Sequence, residues 1–197
     1  MKIRHNKKTA NTKRQFIPAK EQVSNKSTKQ EKFIFFLFLL GLVLLIWEVS
    51  IYRRTIIAFN IPLIIFIIPG VFLTLVFYEK LNKIQDMNIH FLIHYFFHSF
   101  TSGSFILFLF MSSNFYFAGN QTTEKTLEII RKGSMAAGKG RQFIERVPYV
   151  VIHYEGIEKQ LIFPYSKTDK IHSSSKVHLT IKQGLWGFDI LEKYEAI

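Results

Sequence analysis

FIFFLFLLGLVLLIWEVSI (residues 33–51), TIIAFNIPLIIFIIPGVFLTLVFY (55–78) and FLIHYFFHSFTSGSFILFLFMSSNFYFA (91–118) are the stretches whose reading decides the fold. A helix needs about 20 mostly apolar residues to cross a hydrocarbon core about 30 Å thick. Glu48 is the only formal charge in the three runs, with His94 and His98 counted neutral. Soluble core helices seldom stay apolar on every face over such lengths. The block from Phe33 to Ala118 therefore reads as three transmembrane helices, about 33–52, 55–78 and 91–118. The first run is an anchor and not a cleaved signal, because a long tail precedes it. Trp47-Glu48 and Tyr52-Arg53-Arg54 follow it in place of a small-residue cleavage site.

Orientation follows from the tail. Residues 1–32 hold ten Lys/Arg against Glu21 and Glu31, a net charge of +8. The positive-inside bias then predicts a cytoplasmic N-terminus, and three crossings put residues 119–197 outside. The short loops, Arg53-Arg54 and Lys80 with Lys83, tie. The localisation expected is the cytoplasmic membrane of a bacterium, multi-pass, with an extracytoplasmic C-terminal domain. The tail lacks apolar periodicity and reads as disordered. Most of the chain's charge of +12 sits there. Lysines beside a bilayer favour anionic headgroups, so lipid is its expected partner and nucleic acid is not.

A chain of 197 residues with this much membrane block leaves room for one small domain. With no cysteine, disulfides, thiolate metal sites and cysteine nucleophiles are excluded. From Pro148 the hydrophobic period becomes two. Tyr149–Tyr154 is a strand, Glu155-Gly156 a turn, Lys159–Phe163 its partner, and Val177–Lys182 alternates again. Gly184–Gly187 turns the chain into a last strand from Phe188, and a further strand is expected around Lys125–Arg131. Gly133–Gly140 reads as a loop and Ser166–Ser175 as polar loop. The expected whole is α+β: three membrane helices (33–118) followed by a small antiparallel β domain (119–197) of four or five strands, a sheet or partly closed barrel.

Candidate sites are few. His90, His94 and His98 recur every four residues and share one helix face, each about 6 Å from the next. Such a pair can ligate a metal or haem, but a complete site needs ligands from elsewhere, and a polar packing stripe continuing through Ser99, Thr101, Ser102 and Ser104 is the plainer reading. Glu48 is an ionisable residue inside a span, hence a candidate, and it stands about a turn from Arg53 and Arg54, with which it is expected to pair unless it snorkels. Gly133 to Lys139 matches the start of a phosphate-binding loop, but Gly140 stands where Ser or Thr should hold magnesium, so the match is rejected. His153 and His178 would form a surface metal pair if their strands were neighbours. Ser173-Ser174-Ser175 lies near His172 and His178 without an oxyanion motif. No catalytic constellation emerges and no cofactor is expected.

The pattern of Tyr149–Gly156, Phe163-Pro164 and Val177–Leu191, with its Lys-Gln-Gly-Leu-Trp-Gly-Phe-Asp turn, resembles bacterial membrane proteins that pair a few spans with a small C-terminal β module. Those families have no assigned activity. The resemblance implies a fold shape and transfers no functional residue.

The function expected is a non-enzymatic integral membrane protein presenting a β interaction module at the outer membrane face. Leu185 and Trp186 are the contact candidates, and a protein partner or self-association is expected. The alternative is a small subunit of a membrane redox, metal or transport complex using the histidine face.

Overall fold

The computed structural model describes residues 29–85, 90–136 and 146–197. The expected tail up to residue 28, and the part of the rejected phosphate-loop match that carries Lys139, lie outside the described residues. The apolar runs form α1 (Lys29–Arg54), α2 (Asn60–Gln85) and a third stretch in three parts. Those parts are α3 (Phe91–His98), a π-helical turn (Ser99–Gly103) and α4 (Ser104–Tyr116). Three segments, Lys32–Arg54, Asn60–Lys80 and Phe91–Tyr116, are long and apolar enough to cross a membrane.

The π turn is where the helices meet. A π turn widens the helix and disturbs its hydrogen bonding. Here Ser102 and Ser104 hydroxyls donate to the carbonyls of His98 (2.7 Å) and Phe100 (2.8 Å), four residues back. Phe66 of α2 packs edge-on to Phe100 at 5.5 Å. Gly70 lets the α2 backbone reach the turn, since a Cβ there would lie 1.9 Å from Ser99 Oγ. Pro69 sits inside α2 without ending it, and Thr74 Oγ1 donates to the Gly70 carbonyl at 2.7 Å.

After the helices come five antiparallel strands. They are β1 (Thr122–Ala136), β2 (Arg146–Tyr154), β3 (Ile157–Ile162), β4 (Lys176–Gln183) and β5 (Asp189–Ala196), in the order β3-β2-β1-β4-β5. β1 is longer than the sequence suggests and takes in Gly133–Ala136, which were expected in a loop. Its first half pairs with β4 and its second half with β2, and the register shifts between Ile129 and Arg131. That irregularity curls the sheet, so that Val150 and Ile152 of β2 face Val177 and Leu179 of β4 across one core. Each fully buried aliphatic side chain there contributes roughly 1.5–3 kcal/mol. The β2–β3 hairpin turns through Glu155 (φ 48°) and Gly156 (φ 85°), both left-handed as a two-residue turn of this hand requires.

The expected polar loop at 166–175 is largely helical. Tyr165–Lys167 form a 3-10 turn and α5 (Thr168–Ser173) follows. One apolar residue explains the difference: Ile171 is buried in the module core. A single hydrophobe in a serine- and lysine-rich stretch shows no periodicity.

The linker between α1 and α2 is part of the module. Thr55 bridges Ile190 at the outer edge of β5, and Ile56 N–H donates to the Asp189 carbonyl at 2.7 Å. The Ile56 side chain enters the module core. In exchange, Phe188 of the module packs into the helical cluster of Ile51, Ile57, Leu107 and Met111.

Candidate functional site

Where helices and module join, Lys159, Asn114 and Trp186 make the hydrogen bonds that fasten them. A helix end leaves carbonyls without partners. Lys159, reaching across from β3, donates to the carbonyls of Tyr52 (2.9 Å) and Thr55 (2.6 Å) and stands over the Tyr52 ring at 4.8 Å. It is 7 % exposed, and burial pushes its ammonium down to about 8. Beside it, Arg54 lies over the Phe115 ring at 5.1 Å.

Asn114, near the end of α4, is the second fastening. Its side chain donates to the Phe188 carbonyl (3.0 Å) and accepts from Trp186 N–H (3.0 Å), while its own carbonyl accepts from Leu185 N–H (3.2 Å). Only glycine fits at 184, where a Cβ would lie 2.4 Å from the Asn114 amide. The Trp186 indole stacks on Phe110 at 6.2 Å and donates to Ser113 Oγ at 2.8 Å. The contact candidates Leu185 and Trp186 therefore form the turn that rests on α4, with about half of each side chain still exposed.

Above this turn lies a polar cavity of about 610 Å³ between the end of the helices and strands β1, β2, β4 and β5. Its inner wall is a hydrogen-bonded chain. Lys125 donates to Tyr154 Oη (2.8 Å) and to Glu155 (2.8 Å), and Tyr154 donates to Asp189. The Glu155 bond first, then the Tyr154 bond, holds the Lys125 ammonium above its ordinary range. Burial, then the Asp189 acceptor, pushes the Tyr154 phenol up to about 12. A phenol held protonated is a donor and positioner, not a base or nucleophile. The outer wall carries Asn120, Gln121, Thr123 and Gln183.

The histidine face divides. His90 caps α3, its Nδ1 accepting from Leu92 N–H at 3.3 Å. His94 is buried and meets Tyr78 edge-on at 5.5 Å, and it stacks with His98 at 6.3 Å. His98 Nε2 is buried and has no hydrogen-bond partner among the described residues. Among those residues no three or more His, Cys, Asp or Glu side chains gather as a metal set.

Glu48 does not pair with Arg53 or Arg54 and does not snorkel. It is 5 % exposed, and its Oε1 has no hydrogen-bond partner among the described residues. It lines an apolar crevice between α1 and α2 with Leu45, Tyr52, Phe59 and Leu63. Arg54 lies instead over the Phe115 ring.

The His153–His178 pair does not form, because β1 runs between β2 and β4. His178 instead meets Glu124 at 3.6 Å, and His153 lies opposite Glu158. Ser173 and Ser174 hydroxyls donate to α5 carbonyls, as ordinary helix-end serines do. Sequence reasoning missed Asn114, Lys159 and the Lys125–Tyr154–Asp189 chain. A polar residue in the last turn of an apolar run marks Asn114, and a lysine at an inward position of a strand marks Lys159. The chain of three has no local signal, since its members come from β1, β2 and β5.

Compared with protein-family models, with curated proteins and with solved structures, the chain matches none.

Proposed function

We propose that the chain is a non-enzymatic integral membrane protein that holds a small β interaction module at the outer face of the cytoplasmic membrane. The observation that carries this reading is the exchange at the junction. Ile56 from the helix linker lies in the module core, and Phe188 from the module lies in the helical cluster. A module locked in this way keeps a fixed height and orientation over a bilayer, which a flexible tether does not provide. The basic tail supports the orientation.

A paired reporter fused after Ile197, one half active only outside the cytoplasmic membrane and the other only inside, tests the reading. An outside signal is expected. An inside signal overturns the orientation and turns the module toward cytoplasmic partners.

The second reading, a small subunit of a membrane redox, metal or transport complex, has one observation in its favour: His98, stacked with His94, has an Nε2 with no hydrogen-bond partner among the described residues. It predicts loss of function in a His94→Ala/His98→Ala variant, and full function there removes it.

A further inference from the structure

We propose that the junction cavity binds the sugar headgroup of a glycolipid. The inference rests on the reading that the long helices cross a bilayer, and it names what that site takes from it.

Position comes first. Phe117, just past the end of α4 and highly exposed, and Leu185, beside the Trp186 that rests on Phe110, both line the cavity. Tryptophan and other aromatic rings favour the headgroup level of a bilayer. A lipid whose chains lie beside Phe110 and Leu185 therefore presents its headgroup at the cavity mouth.

Charge decides which headgroup. Lys125, the one cation among the described residues that line the cavity, is bonded to Glu155 and Tyr154, and the carboxylate of Asp189 lies next to them. One cation against two carboxylates repels a bare phosphate and selects a neutral polar group.

Hydrogen-bonding capacity points the same way. The side chains of Asn120, Gln121, Thr123 and Gln183 line the cavity and make no hydrogen bond to other described residues. Amides and hydroxyls offer both donors and acceptors, which matches the paired donor–acceptor character of sugar hydroxyls. The buried Tyr154 hydroxyl and Asp189 give the inner wall a fixed geometry. A volume of about 610 Å³ lies within the range of small-molecule sites and admits one or two sugar rings.

The test uses the full chain carrying Trp47→Phe, which leaves Trp186 as the only tryptophan. The variant is reconstituted in phosphatidylcholine vesicles containing either glucosyl-diacylglycerol or phosphatidylglycerol. Trp186 emission is expected to saturate with rising glucosyl lipid and to show no saturable change with phosphatidylglycerol. A Gln121→Ala/Gln183→Ala variant with an unchanged circular-dichroism spectrum should bind about tenfold more weakly, as expected for two lost neutral hydrogen bonds. An equal response to both lipids, or undiminished binding by the double variant, overturns the proposal. Equally tight saturation by soluble methyl glucoside assigns the site to free glycans and overturns the lipid source. Flotation with plain phosphatidylcholine vesicles tests membrane insertion alone, so failure there is distinct from failure to select the sugar.

Discussion

The junction and the helical bundle differ in how completely they satisfy buried polar groups. At the junction, Lys159, Asn114 and the Trp186 indole all have partners at 2.6–3.2 Å. In the bundle, Glu48 Oε1, His98 Nε2, Ser99 Oγ and Ser112 Oγ are buried and have none among the described residues. An unpaired buried polar group costs on the order of 1–3 kcal/mol, and a charged one more. The module is therefore a completed fold fastened to its helices. The bundle carries four buried polar atoms that are left without partners among the described residues.

The largest effect is expected where the junction is cut. Asn114→Ala removes the side-chain bonds to Trp186 and Phe188 and should lower the unfolding free energy of the full chain in detergent by about 3 kcal/mol. A change under about 0.5 kcal/mol, as at an ordinary surface site, would break the comparison.

Lys159→Met comes next, at about 2 kcal/mol, because it takes the ammonium donor from the Thr55 carbonyl and leaves the Tyr52 carbonyl with the Thr55 N–H at 3.2 Å alone. It also carries a pH signature. The folded Lys159 ammonium is pushed down to about 8, while the unfolded one titrates near 10.4. Between those values the unfolded chain binds more protons, so stability should rise with pH from about 8 to 10. Above about 10 it should fall, because folded Tyr154 keeps its proton to about 12 and the unfolded tyrosine does not. Denaturation curves across this range should show the rising limb in the parent and not in Lys159→Met.

Glu48→Leu should act in the opposite sense. Replacing a buried carboxyl whose Oε1 has no partner among the described residues by an apolar side chain should stabilise the isolated chain by about 1 kcal/mol. Destabilisation would mean that Glu48 has a partner within the chain and would erase the contrast. Ser112→Ala should be the smallest change, a stabilisation of about 0.5–1 kcal/mol by the same denaturation, because it removes a buried hydroxyl that has no partner among the described residues.

These contrasts mark how far the sequence could be read. The long apolar helices are legible because apolar length is a local property, as is the period of two that marks β2 to β5, and β1 is legible as far as Arg131. The Glu155-Gly156 turn announces itself through its glycine. β1 past Arg131 is not legible, since Gly133-Ser134 looks like loop until β2 pairs with it. α5 is hidden because Ile171 alone buries. The junction is the least legible part. Lys159 and Tyr52 lie more than a hundred residues apart, and nothing near either one shows that they meet. The histidine spacing was visible, but the division of roles between His90 at the cap and the stacked His94–His98 pair depends on α2 and Tyr78.

The most direct test of the account is amide hydrogen exchange on the full chain in a membrane mimic, read at Ile56, Leu185 and Trp186. These N–H groups bond across the junction, to Asp189, to the Asn114 carbonyl and to the Asn114 side chain. A locked junction predicts exchange as slow as that of Val150 and Leu179 in the module core, with all of them opening together. Fast exchange at the three junction amides beside a protected core would mean a tethered module and would contradict the account.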